Sequence, residues 1–157
     1  MNNRGQISLE YIIFSTVIII MVISLSQAVL DENEKNMIIT SARMGAQEGV
    51  DKNAYATYYN DTFNYYQSDY PRLLYPTDID IVNISLNETS EKRLTINIAA
   101  HSNTKLSHNQ KYIISSRINY YARRSITNTF KQKQNGLYYT PALSDNYEIE
   151  CEDVKWV

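Results

Sequence analysis

Apolar and polar residues follow four distinct patterns along this chain. The first is the strongest: from Tyr11 to Leu30, 20 residues pass without a charge, and 14 of them, counting Tyr11, carry large apolar side chains. Ile12, Ile13, Phe14, Ile18, Ile19, Ile20 and Ile23 leave no polar side, as a surface helix would require. As an α-helix the run covers roughly 30 Å, the hydrocarbon thickness of a bilayer. Exposing each such side chain costs about 1.5–3 kcal/mol, so lipid or protein must always cover the segment. Ser15, Thr16, Ser24 and Ser26 can bond back to helix carbonyls and need no outside partner.

The second pattern continues the helix. Asp31 to Ala56 contains no proline, and Met37, Ile38, Met44 and Val50 make a thin apolar stripe among charged and small residues. Gly45 and Gly49 stand four apart, which lets another backbone approach closely; in a solvated helix each only weakens the element, by about 1 kcal/mol. One helix from about Ile7 to about Tyr59 is predicted, its upper half packing on the globular part. Tyr55 to Tyr75 is aromatic-rich, with helical spacing towards Pro71 and a turn near Pro71 and Pro76. These rings serve either to cover a helix–sheet junction or as an adhesive surface.

The third pattern has a period of two. Glu91 to Ala100 sets Leu94, Ile96 and Ile98 against Arg93, Thr95 and Asn97, the alternation of a half-buried strand. Asp78 to Leu86 reads as its hairpin partner, with a phase change that predicts a bulge near Val82 and a turn over Asn87 to Ser90. The tail alternates Tyr147, Ile149 and Cys151 against Glu148, Glu150 and Glu152, then shifts phase at Val154 and Trp156, as a last strand at a glutamate-guarded sheet edge would. The fourth pattern has a period near four: Ile114, Ile118, Ala122, Ile126 and Phe130 favour a helix within residues 107–133, although the β-branched residues also suit a strand pair. Asn135-Gly136 signals a turn.

Together these elements predict an α+β chain, in which a long N-terminal hydrophobic helix carries a small globular domain with a β-sheet. Asp31 to Val157 suffices for one such domain. Charge adds an orientation. Arg4 is the only charge before Glu10, and Asp31, Glu32 and Glu34 follow the apolar run, so the N-terminus is expected inside and the bulk of the chain outside. A net charge of −2 offers nothing to a nucleic-acid partner. A lone cysteine, Cys151, allows no internal disulfide and reads as a buried thiol in a strand or an interchain link.

Three processing schemes fit the start of the chain. One is a secretory signal cut after the small-x-small stretch Ser24-Leu25-Ser26. Another is a plain uncleaved anchor. The third is a cut between Gly5 and Gln6, which leaves the helix on the mature protein.

The third scheme has a motif behind it. Gly5-Gln6-Ile7-Ser8-Leu9-Glu10-Tyr11 resembles the Q-x-S-x-E-Y signature of archaeal type IV pilin-like proteins with class III signal peptides. The resemblance covers about the first 25–30 residues. It implies a leader at residues 1–5 removed by a class III prepilin peptidase, a membrane and filament-core helix at 6–30, a stem at 31–59 and an ectodomain at 60–157. Gln6, Ser8, Glu10 and Tyr11 would be the assembly motif, with Glu10 the fifth mature residue. The implied partners are other pilin subunits, an assembly ATPase, a membrane platform protein and, before assembly, the membrane itself. The implied role is a major or minor pilin acting in adhesion or surface attachment. The glycine-rich leader typical of archaellins is missing, which argues against an archaellum filament. Elementary chemistry agrees with the motif. Cleavage exposes an amine on Gln6, one helical turn from Glu10, and a carboxylate amid apolar side chains is tolerable only when paired. A neighbouring subunit's amine supplies that pairing and sets the stagger between chains. Negative charge also suits a helix N-terminus.

Asn60-Asp61-Thr62, Asn83-Ile84-Ser85 and Asn87-Glu88-Thr89 are N-glycosylation sequons on the expected outer side. No nucleophile elbow, phosphate loop or metal-binding cysteine pair occurs, so neither an enzyme nor a cofactor is expected. His101 and His108, seven apart without nearby carboxylates, read as surface residues rather than metal ligands. The alternative to a filament subunit is a singly anchored binding ectodomain or a pseudopilin that never polymerises.

Overall fold

The computed structural model describes residues 3–53, 79–134 and 136–157, leaving aside the side chains of residues 3–8 and 53. The element order is α1 (Asn3–Asn53), β1 (Ile79–Ser90), β2 (Arg93–Ser102), α2 (His108–Thr129), β3 (Ala142–Leu143), β4 (Glu148–Cys151) and β5 (Lys155–Trp156). The expected α+β layout is therefore present: a long apolar N-terminal helix followed by a small domain with a mixed sheet. By contacts the chain divides into two units, Met1–Asn36 and Met37–Val157.

The first unit is all helix. From Leu9 to Leu30 every side chain but Ser15 is exposed, as the absence of a polar side foretold. Thr16 Oγ1 donates to the Ile12 carbonyl at 2.8 Å, Ser24 Oγ to Ile20 at 3.0 Å and Ser26 Oγ to Val22 at 2.8 Å. The hydroxyls thus add no polarity that a neighbour must satisfy. At the charged end, Lys35 Nζ pairs with Asp31 at 2.9 Å.

The second unit is built around β2. This strand pairs antiparallel with β1 and parallel with both β4 and β5, and β4 pairs antiparallel with β3. A parallel pair cannot be closed by a tight turn, and α2 forms the body of the crossover between β2 and β4. Leu94, Ile96, Ile98 and Ala100 fill one face of β2 and are buried. Ile114, Ile118, Ala122 and Ile126, one face of α2, are fully buried in the same core with Ile149 and Ala142. The four-residue spacing in 107–133 is therefore helical. Ser107 caps this helix: its hydroxyl accepts from Gln110 N at 3.3 Å while Gln110 Oε1 accepts from Ser107 N at 2.8 Å, a reciprocal capping box.

The upper part of α1 joins this core through Ile38, Ala42, Ala46 and Val50. The expected stripe holds only in part, since Met37 and Met44 are exposed. Small residues replace them on the buried face because Gly45 and Gly49 meet the backbone of α2 at Ala122 and Ile118. The close approach that the two glycines permit is therefore made within the chain.

Two strand expectations shift. The β1–β2 hairpin turns at Glu91-Lys92 rather than over Asn87 to Ser90, so Asn87 lies within β1. The ladder runs on to Ser90 opposite Arg93, with Thr89 Oγ1 2.7 Å from Thr95 Oγ1. The bulge near Val82 is present as a register shift between Ile81 and Asn83. The tail forms two short strands and not one, and β4 sits between β2 and β3 rather than at the edge. Its alternation is as read: Tyr147 and Ile149 are buried, the glutamates exposed, and the phase changes at buried Val154. Gly136 turns with φ of 73°. The aromatic-rich stretch Tyr55 to Tyr75 and the Pro71–Pro76 turn lie outside the described residues.

Candidate assembly and processing site

The motif residues share one uninterrupted stretch of helix. Gly5, Gln6, Ser8, Glu10 and Tyr11 all belong to α1, which begins at Asn3. Helical geometry sets Gln6 and Glu10 one turn apart on the same face. Glu10 and Tyr11 are exposed, Tyr11 at 72%. Glu10 therefore stands at the border between the polar start of the helix and a rod that exposes Ile12, Ile13, Phe14 and the residues beyond them.

The rod is long and apolar enough to cross a membrane, and none of its most apolar stretch is buried within the chain. Its side chains reach outward in every direction. A partner therefore has to surround the rod, which lipid acyl chains or several parallel copies do and a single shallow groove does not.

The sequons separate. Asn60 lies outside the described residues. Asn83 and Asn87 are both exposed on β1, flanking buried Ile84 and half-buried Leu86, with Ser85 exposed between them. They face Ala99 and Thr95 of β2 in the ladder. Among the described residues no strand pairs with the outer edge of β1.

The remaining candidates give no reactive constellation among the described residues. His101 and His108 are exposed, and His101 Nδ1 lies 2.6 Å from the Val157 carbonyl oxygen. No cluster of three or more His, Cys, Asp or Glu side chains suited to a metal occurs among the described residues. Cys151 sits in β4, where burial pushes its thiol up to about 11 against the opposing pull of Arg123. It is a protonated, poorly nucleophilic thiol at neutral pH.

The sequence reading overlooked two features. The capping box was legible in Ser107-x-x-Gln110 ahead of an apolar period. The groove beside α2, lined by Tyr112, Tyr120 and Tyr138, was not, since its walls come from segments that only the fold brings together.

Comparison with protein-family models, curated proteins and solved structures finds no match to this chain.

Proposed function

We propose that this chain is a structural subunit, a major or minor pilin, of an archaeal type IV pilus-like surface filament. It is held in the membrane as a precursor with its C-terminal domain outside. A class III prepilin peptidase removes residues 1–5, and an assembly ATPase with a membrane platform protein drives the subunit into the filament. There the apolar rod exchanges lipid for the rods of sister subunits, and the mature amine of Gln6 pairs with Glu10 of a neighbour. The filament serves adhesion or surface attachment, and the role is not catalytic.

One observation carries this reading. A single helix presents large apolar side chains on all sides from Leu9 to Leu30, and one carboxylate, Glu10, stands at its start, a turn beyond Gln6. A lone anchor needs the apolar surface but not the carboxylate. A rod that is later transferred among copies of itself uses both.

N-terminal mass analysis of the native protein tests the processing step. The expected first residue is Gln6, free or cyclised to pyroglutamate. An intact Met1, or a start at Gln27, overturns the pilin reading. A start at Gln6 on protein that never sediments with filaments favours the pseudopilin alternative.

A further inference from the structure

Charge is unevenly divided along this chain. Lys92 to Ser144 holds nine Lys and Arg and no acidic residue, so all 17 Asp and Glu lie outside it. The net charge is nevertheless only −2. A basic surface meant for an outside polyanion, a nucleic acid or an anionic membrane, goes with a chain that is basic as a whole. Here the balancing charge belongs to the same chain, and the fold of the Met37–Val157 unit decides where it stands.

The basic side is α2 and the turn after it. Ile114, Ile118, Ala122 and Ile126 face the core, which leaves Arg123 and Arg124 half-buried on the outward side. Arg123 Nε donates to the Tyr138 carbonyl at 3.2 Å, and Arg124 lies over the Tyr121 ring at 5.8 Å. Both partners are neutral, so neither charge is cancelled. Lys131 and Lys133 follow and are exposed. None of these four joins an ion pair among the described residues. Arg117 is set aside, because it has a partner within the chain. The acids on this side are Asp153, which lines a groove with Arg123, and Asp145, which accepts from the Gln132 amide at 3.0 Å. The acidic side is the other face of the sheet. Ile149 is buried toward α2, so a period of two turns Glu148 and Glu150 outward, and Glu152 continues the alternation. Glu148 is held by Arg93 at 3.4 Å. Glu150 and Glu152 are exposed and form no ion pair among the described residues. Asp80, between buried Ile79 and half-buried Ile81, adds a carboxylate to this face, and Lys155, level with Ala99, opposes it.

We propose that the partner of each face is a second copy of this chain: the α2 side of one copy docks on the sheet side of the next, with Arg124 and Lys133 meeting Glu150 and Glu152. The two surfaces differ, so each docked copy still offers one of each kind. Such a contact propagates from copy to copy, where a two-fold contact stops at a pair. Complementary charge steers the encounter and fixes its register. The contact rests on the filament reading for its setting, and it adds to the rods a bond between outer domains.

The test is energy transfer between donor- and acceptor-labelled full chains reconstituted in phosphatidylcholine vesicles. Two double variants invert one face each: Arg124→Glu with Lys133→Glu, and Glu150→Lys with Glu152→Lys. Each alone should associate about tenfold or more weakly than wild type. An equal mixture of the two should recover the association, because each variant then offers the other a complementary surface on both sides. Salt at about 1 M, where the Debye length is about 3 Å, should weaken the wild-type contact. The single exposed substitutions Lys133→Glu and Glu150→Lys repeat the comparison where a double variant melts early. The proposal is overturned if either inverted face associates as wild type does, if the mixture fails to recover, or if transfer appears only in vesicles containing phosphatidylserine, which assigns the basic side to lipid. The two readings fail separately. A chain that starts at Gln6 and associates regardless of these charges loses this contact and keeps the filament. Recovery in the mixture by a chain that retains Met1 does the reverse.

Discussion

Gly45 of α1 lies against the backbone of Ala122 in α2: a Cβ placed on Gly45 would stand 2.8 Å from the Ala122 Cα and 2.7 Å from the Ser125 Cβ. Four residues on, a Cβ on Gly49 would stand 2.9 Å from the Ile118 Cα. The two glycines let the helices meet backbone to backbone. Neither is there for a bend, and neither has a positive φ. Gly45→Ala gains about 1 kcal/mol of helix propensity but forces a clash with backbone that cannot rotate away, and overpacking costs about 1–3 kcal/mol or more. We expect a net loss of stability. Thermal unfolding of the full chain in detergent, followed by the fluorescence of Trp156, checks it. A melting temperature equal to or above wild type would mean the helices separate at no cost.

Glu10→Ala should leave membrane insertion intact and impair filament incorporation. Insertion depends on the apolar rod, which the substitution only lengthens. Incorporation depends on the paired carboxylate if Glu10 acts between subunits. Fractionation into membrane and sheared-filament pools separates the two. Normal filament yield would remove that role from Glu10.

Ser107→Ala should destabilise the Met37–Val157 unit by about 1 kcal/mol, the usual cost of losing a side-chain N-cap. The hydroxyl it removes accepts from Gln110 N. Ser107→Asp should restore most of the loss, since its carboxylate accepts the same bond and suits the positive end of the helix. Urea unfolding of the two variants beside wild type gives the comparison.

Cys151 should resist alkylation at pH 8 in the folded chain. Burial raises its thiol from the ordinary 9.0 to about 11. The sign follows: the fold favours the protonated thiol, so its contribution is complete below pH 9 and is lost as pH rises from about 9 to about 11. Stability measured over that window should fall more steeply in wild type than in Cys151→Ala, a comparison that cancels the titration of lysines and tyrosines. Parallel curves would contradict it.

Asn83 and Asn87 are expected to carry glycans on the native protein if the domain faces the outside. Both side chains are exposed on β1, an edge strand among the described residues. Intact-mass and glycopeptide analysis should show sugar on at least one, with the added mass lost in Asn83→Gln or Asn87→Gln. Unmodified peptides at both positions would refute the assignment.

Patterns local to the chain were readable from its letters. The rod from Tyr11 to Leu30 is apolar all round, so no arrangement of the rest could make it a surface helix. Ile114, Ile118, Ala122 and Ile126 carry a helical period that the β-branched residues did not override. The alternation of β2 and the bulge after Ile81 were also legible, because a period of two flips faces whenever a residue is added. The start motif was legible as a resemblance, and its geometry needs nothing beyond a continuous helix.

What depended on distant partners was not legible. Met37 and Met44 looked like core, but α2 approaches α1 at Gly45 and Gly49 and the buried face runs through Ile38, Ala42, Ala46 and Val50 instead. The hairpin could have turned anywhere from Asn87 to Lys92, and the Thr89–Thr95 contact that accompanies the longer ladder forms only in one register. The tail's glutamates suit an edge strand, yet β4 lies between β2 and β3, because the crossover through α2 delivers it parallel to β2. The groove beside α2 joins residues from three separate segments and leaves no periodic trace. A sequence by itself determines which side chains a segment must hide. The tertiary structure decides against what they are hidden, since that is a competition among segments for the same surface.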